Sequence, residues 1–146
     1  MIYSEINKRL ENFSRIRSDF DYEIAEGLSS DEIHHVEKTL NISFPSTIVK
    51  LLSHIDGLKI NNPEFILFEA KKWEIDDSKL MNFAQFKDSI DIAFDTNLNN
   101  SSGQWDIMNV QNNYVLTLTI ESFLSNKIWH WIENRREIWK DKFWED

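Results

Sequence analysis

Apolar positions along this chain recur at helical spacing in its first third and at strand spacing further on. From Ile2 they fall at three- and four-residue steps, through Ile6, Leu10 and Phe13 to Ile16 and Phe20, with Glu5, Lys8, Glu11 and Arg15 on the opposite side. Residues near Tyr3 to Ser18 therefore form an amphipathic helix, and Asp19 to Glu26 read as an acidic connector ending at Gly27. Ile33, Val36 and Leu40 repeat the helical spacing. Ser29 is placed as the N-cap of that helix, Glu32 three residues on can reach back to its amide, and Leu28 and Ile33 have the spacing of a hydrophobic staple. Asn41 tolerates the left-handed conformation and ends the helix. Phe44-Pro45 restarts the chain, so a further helix begins near Pro45 or Ser46. It buries Ile48, Leu51, Leu52 and Ile55, and Gly57 stops it after Asp56.

Beyond Gly57 the spacing changes. Asn61-Asn62-Pro63 signals a turn, and Phe65 to Phe68 is a short apolar run of the kind a buried strand makes. Lys71 to Phe86 carries both patterns: Trp73 and Ile75 alternate, whereas Leu80, Phe83 and Ala84 step like a helix. Ile90, Ile92 and Phe94 alternate with Asp91, Ala93 and Asp95, giving a strand with one buried and one acidic face. Asn97 to Gln104 is a loop whose low hydrophobicity predicts mobility. Trp105 to Val110 and Tyr114 to Thr119 form a hairpin around Gln111-Asn112-Asn113. Thr119 caps a final helix with Phe123, Leu124, Ile128, Trp131 and Ile132 on its inner side. Trp129, Trp139 and Trp144 cannot all share that stripe, so some lie at the surface or fold back along the domain. The expected architecture is α+β: two or three N-terminal helices on a mostly antiparallel sheet of four to six strands, closed by a C-terminal helix. No linker or repeat divides the chain, so residues 1–146 are expected to form one domain.

Composition narrows the chemistry. Hydrophobic residues make up 41% of the chain, with six Trp and ten Phe, which is enough for a sizeable core. The absence of Cys excludes disulfides, thiolate zinc sites and thiol catalysis together. Residues Met1 to Leu10 contain Glu5, Lys8 and Arg9, and no stretch reaches the ~20 apolar residues of a membrane span. The expectation is a cytoplasmic protein without a membrane partner. A formal charge of −9 argues against nucleic acid, because phosphate contacts need clustered Lys and Arg. Such acidity keeps a protein soluble and, beyond that, attracts basic proteins.

Catalytic and cofactor motifs are missing from the sequence. His34 and His35 are adjacent and point about 100° apart on a helix, so they do not chelate a metal together. Three glycines leave no material for a phosphate-cradling loop. No Gly-x-Ser-x-Gly elbow occurs, and pairs such as Asp76-Asp77 arise by chance in so acidic a chain. The reading is a non-enzymatic protein with neither metal nor cofactor.

The segment from Gly27 to Leu58 resembles a known family. Its Gly-Leu-Ser-x-x-Glu-Ile-x-x-x-Glu opening, Ile-Ser-Phe-Pro corner, Leu-Leu pair and closing Asp-Gly are similar to the signature of the SUKH superfamily. Thr119-Ile-Glu-Ser-Phe-Leu124 likewise resembles the start of that family's last helix. The resemblance implies the α+β fold above and a protein-binding role. It implies in particular an immunity protein that neutralises a basic toxin, often a nuclease, or alternatively a regulator or scaffold of cell-wall glucan synthesis or signalling. For the partner surface, the alternation of residues 90–95 turns Asp91 and Asp95 outward, and Asp106 joins them if Trp105 is turned inward. Trp73 is expected at the surface as an aromatic anchor beside them. The same acidic face would equally protect a sheet edge against aggregation.

Overall fold

A computed structural model of the chain describes residues 2–87 and 89–140. Helix α1 (Ile2–Ile16) buries Tyr3, Ile6 and Leu10. The Tyr3 ring stacks on His54 at 5.1 Å, and burial, followed by the charge of Glu121, pushes its phenol up to about 12. The expected connector is instead a strand, β1 (Asp21–Glu26), in which Tyr22 and Ile24 pack against the core while Asp21 and Glu23 face outward. Two large apolar residues in six were too weak a signal to mark it.

Helix α2 (Ser30–Leu40) has the predicted capping box: Ser29 Oγ accepts the Glu32 amide at 3.2 Å, and Glu32 accepts the Ser29 amide at 3.0 Å. These hydrogen bonds hold the Glu32 carboxyl below the usual carboxylate range. Asn41 closes the helix at φ 55°. Glu37, the last residue of the opening motif, accepts the Phe44 amide at 2.7 Å and so fixes the corner before the next helix.

Helix α3 (Ser46–His54) starts after Pro45 and buries Ile48, Leu51 and Leu52. It ends sooner than its spacing suggests. Ile55 is already extended and pairs with Glu26, so Gly57 lies at φ 112° inside strand β2 (Ile55–Asn61) and is not a helix stop. The pairing of Ile55 with Glu26 of β1 takes over from the helix at that point. Leu51 and Leu52 are 0% and 1% exposed, so Ala at either is expected to cost roughly 2–5 kcal/mol, read as a lowered thermal midpoint.

Among the described residues the sheet has eight strands, more than the four to six expected. Strands β3 (Phe65–Leu67), β5 (Leu80–Phe86), β6 (Ile90–Asp95), β7 (Ile107–Asn109) and β8 (Val115–Thr117) continue from β1 and β2, antiparallel throughout, in the order β1-β2-β3-β5-β6-β7-β8. The short β4 (Glu74–Ile75) pairs with β5 after a 3₁₀ turn at Ala70–Lys72. A bulge explains the mixed pattern of residues 71–86. The register shifts between Asn82 and Ala84, so Phe83 is the extra residue, and Phe83 and Ala84 are both fully buried. Two consecutive inward residues imitate helical spacing.

The C-terminal helix closes the core. It begins at α4 (Ile120–Ser122), where Thr119 caps the Ser122 amide, passes through a π-helical turn at Phe123–Lys127 and ends as α5 (Ile128–Asn134). Arg135, at φ 58°, then reverses the chain so that Trp139 stacks on Phe86 at 4.9 Å. Of the two alternatives, surface or fold-back, the second occurs for Trp139, and Trp129, Trp131 and Trp139 are all buried; Trp144 lies outside the described residues. Arg9 of α1 stands 4.1 Å over the Trp129 ring and pairs with Glu133, joining the first helix to the last. Among the described residues no helix is long and apolar enough to cross a membrane.

Candidate functional site

One face of the sheet enters the core; the other carries the polar alternation. Cross-strand register sets Glu23, Lys59, Ile66, Gln85 and Asp91 opposite one another in a row across β1, β2, β3, β5 and β6. All five are half-buried or exposed. A second row runs from Glu74 through Asn82, Ala93 and Met108 to Val115. Ala93 is fully buried between its longer neighbours, so the acidic face of β6 is interrupted at its centre.

Asp91, Asp95 and Asp106 lie on this outer face, as the alternation predicts. Trp105 is turned inward, 5.9 Å from Phe94, and the Asp95 amide donates to the Asp106 carbonyl at 2.9 Å, which puts their strands side by side. The three carboxylates are half-buried and each has a local donor. Gln85 Nε2 donates to Asp91 at 2.9 Å, the Asn97 backbone and side-chain amides donate to Asp95 at 3.0 and 2.7 Å, and Asn100 Nδ2 donates to Asp106 at 2.9 Å. All of these donors are neutral amides, so the negative charge is left in place while the carboxylates are held in position.

Trp73 is not beside them at the surface. It is 2% exposed, its ring lies about 6 Å from those of Phe44, Phe83 and Phe94, and its Nε1 donates to the Phe68 carbonyl at 2.8 Å. Of the two patterns carried by residues 71–86, the alternation of Trp73 and Ile75 matches the extended backbone seen there. The 3₁₀ turn before β4 then directs the indole into the core, which removes Trp73 as an exposed anchor.

The loop from Asn97 to Gln104 also differs from expectation, because polar side chains anchor it where apolar ones are lacking. Asn97 Nδ2 donates to the Ser78 carbonyl at 3.0 Å, and Asn100 Nδ2 reaches the Leu118 carbonyl at 2.8 Å. Gln104 is 8% exposed and is satisfied at both ends, donating to Glu121 at 2.9 Å and accepting the Ile120 amide at 3.0 Å. The amide-rich composition that suggested mobility is what ties the loop down.

A feature the sequence did not reveal lies at the other end of the sheet. Asp56 and Glu69 line two adjoining depressions, of about 330 and 430 Å³. The first lies over Gly57, Lys59 and Ile66 on the outer face; the second is floored by Leu28 and Val36 under α2. Asp56 also accepts the Ala70 amide at 2.8 Å, and Glu69 faces Lys71 and Lys72 at 3.7 and 3.5 Å. These residues are far apart in sequence and unremarkable singly. The Asp-Gly pair was the one available signal, and its part here is structural, since it carries the bend and the bond that place the 3₁₀ turn.

An α+β fold is the class this arrangement defines: a large antiparallel sheet, helices filling one face, and a charged, hydrogen-bonded opposite face. The model of the SMI1 / KNR4 family (SUKH-1) matches residues 27–144, and the chain belongs to that family. The match begins at Gly27, so α1 and β1 precede it. No curated protein matches the chain.

Proposed function

We propose that this chain is a single-domain, non-catalytic protein-binding module that acts in the cytoplasm as an immunity protein, neutralising a basic toxin domain by occupying it. The observation that carries the reading is the trio of Asp91, Asp95 and Asp106 on the outer sheet face, each hydrogen-bonded by neutral amides among the described residues. Family membership supports a protein partner, and the net charge of −9 supports a basic one. Charge complementarity of this kind speeds encounter and suppresses wrong partners. The partner named here rests on analogy within the family.

The test is a titration against a basic toxin domain, sought first among the products of genes adjacent to this one. Changing Asp91, Asp95 and Asp106 together to Asn keeps acceptor oxygens for Gln85, Asn97 and Asn100 while removing the charge. The variant is expected to fold with a near-native thermal midpoint, to bind about tenfold or more weakly, and to lose much of the salt dependence of association. Reversal to Lys is expected to weaken binding further. Binding by a folded Asn variant that is unchanged in strength and salt dependence would remove this face as the interface. Recovery of the chain in large cell-wall or signalling assemblies, without any toxin bound, would favour the family's regulatory role.

A further inference from the structure

The larger of the two depressions at Asp56 and Glu69, about 430 Å³, is a groove with an apolar floor: Leu28 is half-buried there and Val36 is 8% exposed. Its volume is within the range of ligand-binding clefts. Its wall sets four carboxylates, those of Asp31, Glu32, Asp56 and Glu69, against one ammonium, that of Lys71, with His35 also lining it. Two other hollows are balanced. The one between α1 and the last helix sets Glu5 against Arg9, and the one at the corner between α2 and α3 sets Glu37 against Lys38. The carboxylates of the groove are only partly committed. Asp56 gives one oxygen, Oδ1, to the Ala70 amide, and the Asp31 carboxylate has no partner among the described residues. Glu69 faces Lys71 and Lys72, but both lysines are mostly exposed, and ion pairs of that kind yield at little cost.

We infer that this groove docks a basic polypeptide segment of a partner protein. One arginine or lysine of that segment lays its aliphatic stem on Leu28 and Val36 and sets its cationic head among Asp31, Asp56 and Glu69, displacing Lys71 from Glu69. Such a side chain matches both parts of the groove, because its methylenes bury readily while its charge seeks carboxylate. A metal ion fits poorly, since among the described residues no three carboxylates or imidazoles stand close enough to share one. A polyamine fits poorly as well. Past Asp56 and Glu69 the groove continues into the depression of about 330 Å³, whose lining adds Lys59 and Lys72. These repel a second ammonium and leave an uncharged peptide backbone undisturbed. The site is separate from the face that carries Asp91, Asp95 and Asp106, and it does not rest on the role proposed for that face.

The experiment is an amide NMR titration of the full chain with acetylated, amidated Ala-Arg-Ala, and with Ala-Gln-Ala capped in the same way as the uncharged control. Shifts are expected to saturate and to gather at Leu28, Asp31, Val36, Asp56 and Lys71, and the Gln peptide should leave those amides in place. Asp31→Asn combined with Glu69→Gln should weaken binding about fivefold, and Lys71→Ala, which removes the competing cation from an exposed position, should strengthen it about twofold. Asp77→Asn, in the exposed turn between β4 and β5, should leave binding unchanged. Absence of saturable shifts overturns the inference, and so does binding that the carboxylate variant and Lys71→Ala both leave unaltered. Should the carboxylate variant fail to fold, Lys71→Ala decides alone, and an affinity that does not rise overturns the inference. Equal shifts with the Gln peptide overturn it too, as does spermidine saturating the same amides more tightly than the Arg peptide. Shifts that gather instead at Asp91, Asp95 and Asp106 overturn the groove while leaving the sheet face standing.

Discussion

Replacing Gly27 with Ala is expected to be among the most damaging single substitutions in this chain. The added methyl would sit on the Ser53 carbonyl and within 2.6 Å of the His54 nitrogen, and all of these are backbone atoms at the end of α3. A flexible side chain could swing away; a helix terminus cannot, and here it is pinned by the Leu28 amide donating to the Leu52 carbonyl at 2.7 Å. Relief requires α3 to move from the core it fills with Leu51 and Leu52. The cost is therefore expected at or above the ~3 kcal/mol upper end of ordinary overpacking. Gly57→Ala makes the comparison sharp. Its new methyl would lie 3.4 Å from the nearest atom, the Leu67 carbonyl oxygen, so that substitution carries chiefly the strain of φ 112°, roughly 1–3 kcal/mol. Urea denaturation of both variants should show the Gly27 midpoint lower. The reverse order would mean that the contact between the β1–α2 junction and α3 yields easily.

Trp73→Ala should be comparably severe, for the opposite reason. The indole joins Phe44 at the helical corner to Phe83 and Phe94 in the sheet, so its removal opens a cavity where two layers meet. Loss of a buried Trp costs roughly 3–5 kcal/mol, and the Phe68 carbonyl loses the donor that reaches it from Nε1. Trp73→Phe separates the two contributions. It refills most of the space and leaves the carbonyl short of a partner, a deficit of about 1–3 kcal/mol. Thermal melts in which the Phe variant matches the wild type would show that the hydrogen bond adds nothing measurable. An Ala variant equal to the wild type would show that Trp73 is not at the junction of the layers.

The helical part of this fold was legible because each local signal was redundant. Ser29, Glu32 and Asn41 fix α2 by backbone chemistry that needs no tertiary partner, and the structure has those caps. Signals that depend on distant partners were harder to read. Ile55 looks like the next residue of a helical stripe, yet its pairing with Glu26 makes it the first residue of β2. Phe83 and Ala84 look helical because a bulge turns both inward. At the candidate site, alternation placed Asp91 and Asp95 on one side, and Asp106 joins them because Trp105 is turned inward. Trp73 was misplaced because a two-residue strand following a 3₁₀ turn offers no period from which to read which way the ring points. The depressions around Asp56 and Glu69 were invisible for a related reason, since they are assembled from α2, β1, β2, β3 and the 3₁₀ turn, and no window of sequence contains them.

Burial of the indoles gives this protein a built-in optical gauge. Trp73, Trp105, Trp129, Trp131 and Trp139 are each at most 6% exposed, and they are spread from the helical corner to the folded-back C-terminal segment. Indoles shielded from water emit at shorter wavelength than hydrated ones, so the emission colour of these five follows the integrity of the whole core. None of the five belongs to the outer-face rows that carry Asp91 and Asp95. A ligand that settles on that face without disturbing the core leaves their colour unaltered, whereas one that loosens the core shifts it red, so a single spectrum distinguishes docking from unfolding.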